Sequence, residues 1–237
     1  MRKSFGFTLI ELLVAMIIFA GIMTLIVTYL GASNESTRRT QVRSEVQDRV
    51  RTVMQLVSQD LQLAGSSRLL NANSTTVAQS VANWLPCGSS QRCVSLVGTD
   101  TGATNKDTVR VRYVTSLAAD PANACRIVEY THDGNTVRRG DDAGCTNYSA
   151  SPAPSPIADN ILVLDITYLC SDSSSNANPA NCPAGSYPRT AQITVMGTSA
   201  STIPGYVDPG SYSAACPAGR ICYELRQEVL MPSMKDN

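Results

Sequence analysis

The sequence has little of what catalysis usually requires. It contains one histidine, His132, and aromatic residues make up only 5% of its 237 residues. No Gly-x-Ser-x-Gly elbow, His-Glu-x-x-His zinc motif or glycine-rich phosphate loop occurs in it. His132 precedes Asp133 in a predicted turn, where we expect a surface residue and not a catalytic base. These absences exclude the commonest hydrolase, zinc-protease and nucleotide-binding classes, so we expect neither enzymatic activity nor a cofactor.

The chain also lacks an excess of charge of either sign. Lysine plus arginine and aspartate plus glutamate number 19 each, which gives a formal net charge of zero. This balance excludes a strong non-specific attraction to nucleic acid or anionic lipid. One local alternative remains, a basic patch on adjacent strands that contacts DNA phosphates, although strand arginines are more often simply solvated. Its residues would be Arg110, Arg112, Arg138 and Arg139.

Cysteine is absent from the N-terminal part of the chain, and no two cysteines have Cys-x-x-Cys spacing. The eight present are Cys87, Cys93, Cys125, Cys145, Cys170, Cys182, Cys216 and Cys222. An even number in an exported domain predicts disulfides. We expect each cysteine to pair with its neighbour in that order, closing loops worth about 2–3 kcal/mol each, although the sequence does not fix the connectivity. A zinc site would need a richer ligand set, so no metal is expected.

A group of acidic and amide side chains offers oxygen ligands of the kind that calcium prefers. The group consists of Asp133, Asn135, Asp141 and Asp142. Their spacing fits no recognised calcium loop, and a solvated acidic loop is the simpler interpretation. Calcium binding therefore remains an alternative that no sequence motif supports.

The longest apolar stretch runs from Phe7 to Leu30 and is interrupted by one charged residue, Glu11. As a helix it is long enough to cross the roughly 30 Å hydrocarbon core of a bilayer. A carboxylate there costs roughly 2–3 kcal/mol or more, so we expect Glu11 to have a charged partner. The basic leader, with Arg2 and Lys3, favours a cytoplasmic N-terminal end. A secretory signal peptide or a plain membrane anchor is the alternative.

A second, amphipathic half continues this helix, so that one helix is expected from about Thr8 to Ala64, with Gly65 as its stop. Apolar residues recur at steps of three and four, which is the spacing of one helical stripe. The stripe consists of Val42, Val46, Val50, Val53, Val57 and Leu61. The opposite, polar face is assigned Arg43, Glu45, Gln47, Asp48, Arg49, Arg51 and Asp60.

Beyond Gly65 the composition shifts to small and polar residues with islands of strand pattern. Strands are predicted at Asp107–Thr115, Cys125–Thr131, Asn135–Arg139, Ile161–Leu169, Thr190–Met196 and Ile221–Met231, with a hairpin turn at Asp133-Gly134. Ser151–Pro156 is predicted to be a stiff loop, and Asp172–Ala184 a loop held by Cys170 and Cys182. Strands without a second long helix predict an α+β fold, in which an antiparallel sheet packs on the helix.

The segment Lys3-Ser-Phe-Gly6-Phe7-Thr-Leu-Ile-Glu11 closely resembles the processing site of type IV prepilins. The resemblance implies that a prepilin peptidase cleaves between Gly6 and Phe7 and that Phe7 is then N-methylated. Glu11 falls on the fifth mature position, where the family has a glutamate that neutralises the N-terminal amine of a neighbouring subunit. The fold implied is pilin-like, with disulfide-pinned loops on the sheet.

The end of the helix, Arg51 to Gly65, and the later strands Ile161–Tyr168 and Ala191–Val195 resemble PilW-type minor pilins, whose plan the J-type pseudopilins of type II secretion share. The apolar helix has Thr24 and Thr28 where major pilins often carry proline, which favours a minor subunit. The segment 66–158 resembles nothing we recognise. The implied organisation is a leader at 1–6, a transmembrane and filament-core helix at 7–30, an amphipathic helix at 31–65 and an extracytoplasmic β-rich domain at 66–237.

The function implied by this resemblance is that of a minor pilin, which supports initiation or the tip of a type IV pilus and thereby adhesion, twitching motility or DNA uptake in competence. Its partners would be other pilin subunits, bound through the N-terminal helix, and the prepilin peptidase. The chain would stay in the inner membrane as a single-pass protein until it enters the extracellular pilus. The alternatives are a minor pseudopilin of type II secretion, and a pilus-tip adhesin or DNA receptor.

Overall fold

A computed structural model describes residues 9–64, 96–99, 106–114, 125–143 and 152–232 of the chain. Its first element is a single α-helix, α1, of 55 residues from Leu9 to Leu63. The C-terminal end agrees with the predicted helix to within one residue, and the described part of the helix begins at the first described residue. Internal contacts divide the chain into two units, residues 1–44 and residues 45–237, and α1 contributes to both.

From Leu9 to Leu30, apart from Glu11, α1 is apolar on all sides, whereas the rest of the first unit includes charged residues such as Glu35 and Arg39. Every large apolar side chain from Leu9 to Leu30 that the structure describes is exposed, and the segment is long and apolar enough to cross a membrane. Thr24 and Thr28 donate their hydroxyl groups to the carbonyl oxygens of Ala20 and Thr24, at 2.9 and 3.0 Å. The two hydroxyl groups are therefore satisfied within the helix and do not interrupt its apolar character.

The second unit contains two antiparallel sheets, where the sequence predicted one. The first sheet contains β1 Leu96–Thr99, β2 Thr108–Val114, β3 Cys125–Asp133, β4 Thr136–Ala143 and β5 Ser155–Asp159, in that order. The second contains β6 Ile161–Cys170, β7 Ser175–Asn176, β8 Pro188–Thr198 and β9 Cys222–Leu230, arranged as β7-β6-β8-β9. A 3₁₀ turn, Pro179–Asn181, lies in the loop that follows β7.

A buried aspartate joins the two sheets. The Asp107 amide donates to the carbonyl oxygen of Leu164 at 2.8 Å, and the Asp107 carboxylate accepts from the amide of Ile166 at 2.9 Å. The side chain is 3% exposed. This carboxylate therefore takes the place of a backbone partner where β2 meets β6.

The apolar stripe of α1 forms the centre of the core of this unit. Val50, Val53, Val57 and Leu61 are completely buried, and Val46 is 1% exposed. They pack against inward-facing residues of both sheets, including Val111, Val128, Ile166, Ile193 and Val195. Full burial of one such side chain stabilises the fold by roughly 1.5–3 kcal/mol relative to exposure, so the stripe is the main attachment of α1 to the sheets.

The connections differ from the predictions in two places. The hairpin between β3 and β4 has Gly134 and Asn135 as its two loop residues, since Asp133 pairs with Thr136. Gly134 has a φ of +60°, which suits glycine at the first central position of such a turn. The loop predicted at 151–156 is shorter than expected, because β5 begins at Ser155.

Candidate functional site

The N-terminal end of α1 contains Glu11, the charged residue within the apolar stretch of the sequence. Glu11 lies in the first turn of the helix with an exposed side chain, and the apolar residues around it are exposed as well. Gly6 and Phe7 lie outside the residues that the structure describes. An apolar helix surface of this kind is stable only when lipid or other apolar helices cover it.

At the other end of α1, a buried polar cluster surrounds Asp60, whose side chain is 8% exposed. The hydroxyl of Tyr113 donates to one carboxylate oxygen at 2.9 Å, and the hydroxyl of Tyr130 donates to the other. Arg139 donates to the same second oxygen at 3.2 Å. Since these partners lie on β2, β3 and β4, one carboxylate connects α1 to three strands.

The charges in this cluster alternate. From Asp60 the sequence of ion pairs continues through Arg139 to Asp141 at 3.1 Å, and from Asp141 to Arg126 at 3.0 Å. Burial, and next the charge of Asp60, raise the pKa of Tyr113 and of Tyr130 well above the usual value for tyrosine. The two phenols therefore stay protonated and act as hydrogen-bond donors, which makes this a structural cluster without an activated nucleophile.

The assignment of Asp60 to the polar face of α1 was wrong. Asp60 follows Val57 by three residues and precedes Ala64 by four, so its position belongs to the buried stripe. The spacing was the signal that could have identified it, and the carboxylate chemistry concealed it.

The four arginines of the expected basic patch do not form one surface. The strand β3 separates β2 from β4, so the arginines are not on adjacent strands as predicted. Arg110 pairs with Glu129 at 3.0 Å, and Arg138 lies 3.9 Å from Asp133. Arg112 is 4% exposed, and Arg139 belongs to the Asp60 cluster.

The acidic residues considered for calcium are also separated. Asp133 lies at the hairpin end of β3, opposite Thr136, whereas Asp141 lies opposite Val128, five residues farther along that strand. Asp141 moreover already forms ion pairs with Arg126 and Arg139. Among the described residues these carboxylates therefore do not converge on one cation position.

His132 is half-buried near the end of β3, which corrects the expectation of a surface turn residue. Its Nε2 lies 2.9 Å from the carbonyl oxygen of Ile161, so Nε2–H is the donor. Burial lowers the pKa of His132, and the charge of Lys106 lowers it further, although the bond to Ile161 acts in the opposite direction. The ring is therefore neutral at pH 7 and has a structural role.

Two predicted disulfides are present, Cys170–Cys182 and Cys216–Cys222, spanning 12 and 6 residues. Cys87, Cys93 and Cys145 lie outside the described residues, as does the side chain of Cys125, so their pairing remains a prediction. Asp208 lies near Cys216 and Cys222 with a geometry that could suit a metal, but sulfurs joined in a disulfide are not thiolate ligands.

A second carboxylate, which the sequence argument missed, organises the loop between β8 and β9. Asp208 accepts hydrogen bonds from the hydroxyl of Tyr212 at 2.7 Å and from the amides of Gly210 and Cys222 at 2.9 Å. Burial alone would raise the pKa of Asp208, but these hydrogen bonds lower it overall. The Asp-Pro-Gly sequence, typical of turns, was the available signal.

Three comparisons relate the chain to known proteins. Residues 1–27 match the family described as the prokaryotic N-terminal methylation motif. Over 243 residues the chain is 42% identical to the pilin-like protein PilA3 of Thermus thermophilus, with 97% of each chain covered. A solved type IV-like pilin from Thermus thermophilus aligns with a TM-score of 0.43 and 16% identity, over 60% of this chain and 84% of that one. The identity to PilA3 extends over nearly the whole of both chains, and the chain therefore belongs to the type IV pilin-like proteins.

Proposed function

We propose that this chain is a minor pilin, a structural subunit that takes part in assembling a type IV pilus at or near its tip. The observation that carries this proposal is the contrast between the two halves of α1. The half from Leu9 to Leu30 exposes its apolar side chains on all sides, whereas the half from Val46 to Leu61 buries its stripe within the globular unit. The first half therefore needs a cover that the described residues of this chain do not supply.

The surroundings of the apolar half of α1 change between the membrane-bound and the assembled subunit. Lipid of the inner membrane surrounds the apolar half first, with the globular unit on the periplasmic side, and the helices of neighbouring pilin subunits replace the lipid in the extracellular pilus. Both environments are apolar, so the transfer costs little for residues such as Leu12 or Ile17. The methylation motif over residues 1–27 supports this sequence of events.

Glu11 would direct the transfer. Cleavage by the prepilin peptidase between Gly6 and Phe7 creates a positive amine on Phe7, which is then N-methylated. A carboxylate within hydrocarbon is costly, and pairing with a neighbour's amine removes much of that cost. Glu11 would thereby set the position of each helix relative to the next.

The loops held by Cys170–Cys182 and Cys216–Cys222 suit a domain that leaves the cell, because short disulfide loops persist in oxidising surroundings. Because the bacterial periplasm is oxidising as well, the disulfides fit both the pilus and a periplasmic pseudopilus, which the deletion experiment distinguishes. Support of adhesion, twitching motility or DNA uptake would follow from the presence of the pilus, and no separate binding site is required.

A clean gene deletion tests the proposal, with the major pilin sheared from the cell surface and the secreted enzymes assayed in the same cultures. Loss of sheared pilin with normal secretion, restored by the wild-type chain, is the expected result. A normal amount of sheared pilin with lost secretion would instead identify the chain as a pseudopilin of type II secretion. If neither changes, the assembly role is wrong and a dispensable adhesin or receptor becomes the better account.

A further inference from the structure

The strand β9 is an edge of the second sheet. It pairs with β8 on one side, and no described strand lies on its other side. β9 is nine residues long, pairs without a bulge, and contains neither proline nor lysine. Natural proteins commonly use such features to keep an edge strand from pairing with another chain. The edge of β9 is therefore long and regular enough to accept a further strand.

The backbone groups of every second residue of β9 point to this edge. The amide of Cys222 donates to Asp208 at 2.9 Å, and its carbonyl oxygen accepts from the hydroxyl of Tyr212 at 3.1 Å, so both groups point away from β8. The amide of Met231 instead donates to the carbonyl oxygen of Arg189 in β8 at 2.9 Å. Since the direction alternates along an antiparallel strand, the even-numbered residues present their N–H and C=O groups to the free edge. Beyond Cys222 these are Glu224, Arg226, Glu228 and Leu230, whose backbone groups bond to no described residue on that side.

A groove of about 340 Å³ lies between α1 and β9 and follows the same edge, because β8 covers the other side of β9. Met54 and Leu225 give the groove apolar surface. Ser58 also lines it and is 5% exposed, and the Ser58 hydroxyl has no hydrogen-bond partner among the described residues. A buried hydroxyl without a partner costs free energy, which a polar group of a ligand would recover. Carboxamides make up most of the remaining lining: Gln55, Gln59, Gln62 and Gln227.

An extended peptide is the ligand that matches both the edge and the groove. From Glu224 to Leu230 the edge is about 20 Å long, which is the length of a seven-residue strand. The main-chain groups of an extended segment repeat at the spacing of the free groups of β9, and carboxamides can both donate to and accept from such a segment. A helix pairs its own main-chain groups internally and cannot satisfy this edge. The loop residues Asp208 and Tyr212 close the edge at Cys222, so they limit the segment to the part from Glu224 onward.

The side chains of β9 specify the sequence pattern of the segment. Leu225 and Gln227 face the groove, so Glu224, Arg226 and Glu228 lie on the opposite face of the strand. An added strand continues this alternation, and side chains directly opposite each other stabilise the pair when their charges are opposite. The segment therefore has small or apolar side chains toward α1 and a positive, a negative and a positive charge at the alternate positions.

A second copy of this chain fits the edge less well than a different protein. Two β9 strands paired in parallel and in register would place Glu224, Arg226 and Glu228 beside the same residues, and like charges repel. Antiparallel pairing through a twofold axis would reverse one α1 relative to the other, although in the proposed function both chains enter the membrane by the same end of that helix. Only this choice of occupant rests on the proposed function.

We propose that the free edge of β9 binds an extended segment of a different protein by strand addition. The segment pairs through its main chain with Glu224, Arg226 and Glu228, places its apolar side chains in the groove, and supplies a polar group to the hydroxyl of Ser58. This surface joins the globular unit to a partner independently of any contact made by the apolar half of α1.

A seven-residue peptide, Val-Lys-Val-Glu-Val-Lys-Val, is the probe for this site. Its sequence reads the same in both directions, so its charges face those of β9 in either strand orientation. Two further peptides have identical side chains but carry N-methyl groups, one on the lysine and glutamate amides and the other on the interior valine amides. In either orientation, one of these two sets of amides points to β9 and the other points away from it.

Fluorescence anisotropy of the labelled peptides measures binding to the full chain in detergent. The expected result is saturable binding of the parent peptide at one site, with binding about tenfold or more weaker for one N-methylated peptide but not for the other. Arg226→Pro removes an N–H group that points to the edge and not to β8, so it should weaken binding to a similar extent. Arg226→Ala, the matched control, keeps that N–H group and should stay within about threefold of wild type. Unfolding midpoints show whether both variants stay folded.

No binding of the parent peptide, or equal affinity of the two N-methylated peptides, would overturn the proposal. Hydrogen exchange of the Arg226 amide should be fast in the free chain and slow with the peptide bound. Slow exchange without the peptide would also overturn it, and would assign the edge to a segment of this chain if seen in the monomer, or to a second copy if seen only at high chain concentration. Because these measurements need no filaments, their failure leaves the assembly role intact, and absence of the chain from filaments would leave peptide binding unaffected.

Discussion

The Tyr113 hydroxyl donates a 2.9 Å hydrogen bond to the Asp60 carboxylate and so connects β2 to α1 in the interior of the globular unit. Buried ion clusters of this kind add little net stability compared with apolar packing, but an incomplete cluster is strongly destabilising. A movement of α1 along its own axis would leave Asp60 buried without its partners. The Asp60 cluster therefore determines the position of the helix on the first sheet.

Asp60→Ala should lower the free energy of unfolding by about 3 kcal/mol, because Arg139 and two phenols lose their shared acceptor in a buried site. Chemical denaturation of the detergent-solubilised chain measures the change. Asp48→Ala, an exposed site on the same helix, is the matched control and should stay within about 0.5 kcal/mol of wild type. Equal effects at the two sites would show that the cluster does not fix the helix.

Gly197→Ala should destabilise the chain by about 1–3 kcal/mol, since a Cβ at this position of β8 would lie 2.7 Å from Cγ2 of Val50. Val50→Ala alone should also destabilise it, through a cavity. The double variant should lose less than the sum of the two, because the shortened side chain makes room for the added methyl group. Simple additivity in denaturation experiments would contradict this close packing of α1 on β8.

The stability of the globular unit should depend on pH through His132, the only histidine in the sequence. Burial lowers the pKa of His132 in the folded chain, so the unfolded chain binds a proton first as the pH falls below about 6.5. The free energy of unfolding should therefore decrease below that pH until the lowered folded-state pKa is reached.

His132→Gln is the variant that isolates this effect. Its amide nitrogen can still donate to the carbonyl oxygen of Ile161, but it does not titrate. Unfolding midpoints measured between pH 8 and pH 5 should fall for wild type and stay flatter for the variant. Parallel curves would assign the pH dependence to other groups.

Periodicity predicted the elements whose side chains meet the core. The valine stripe of α1 and the alternation in β2, β6 and β8 have apolar residues at most inward positions, and these elements were predicted nearly to their ends. The strand β5, which pairs with β4, was missed because Ser155 and Pro156 are residue types typical of loops. The division into two sheets was missed because it depends on which strands pair with each other, and no local pattern specifies those long-range partners.

The residues of the candidate site divide in the same way. Glu11 was singled out from sequence because a charge within an apolar helix is energetically costly, and its role stays a prediction. The Asp60 cluster could not be identified in this way, since its partners Tyr113, Tyr130 and Arg139 come together only through strand pairing across three strands. The separation of Arg110 from Arg138 likewise follows from the position of β3 between them.

Glu11→Ala should leave processing and membrane insertion intact but reduce the amount of this chain in sheared filaments by about tenfold, the loss expected for roughly 1.4 kcal/mol of pairing energy. The variant helix is a better membrane span without a need for a partner. Immunoblots of membrane and sheared fractions measure the ratio. Glu35→Ala, which removes only an exposed pair with Arg39, is the control and should assemble normally. Normal incorporation of Glu11→Ala would contradict the positional role of Glu11.

The most direct test of the central claim is the mass of the N-terminal peptide of this chain in sheared, washed filaments. An assembly subunit processed as proposed should be found there with N-methylated Phe7 as its first residue. Absence of the chain from filaments that are otherwise intact, or its presence only with residues 1–6 still attached, would contradict the account.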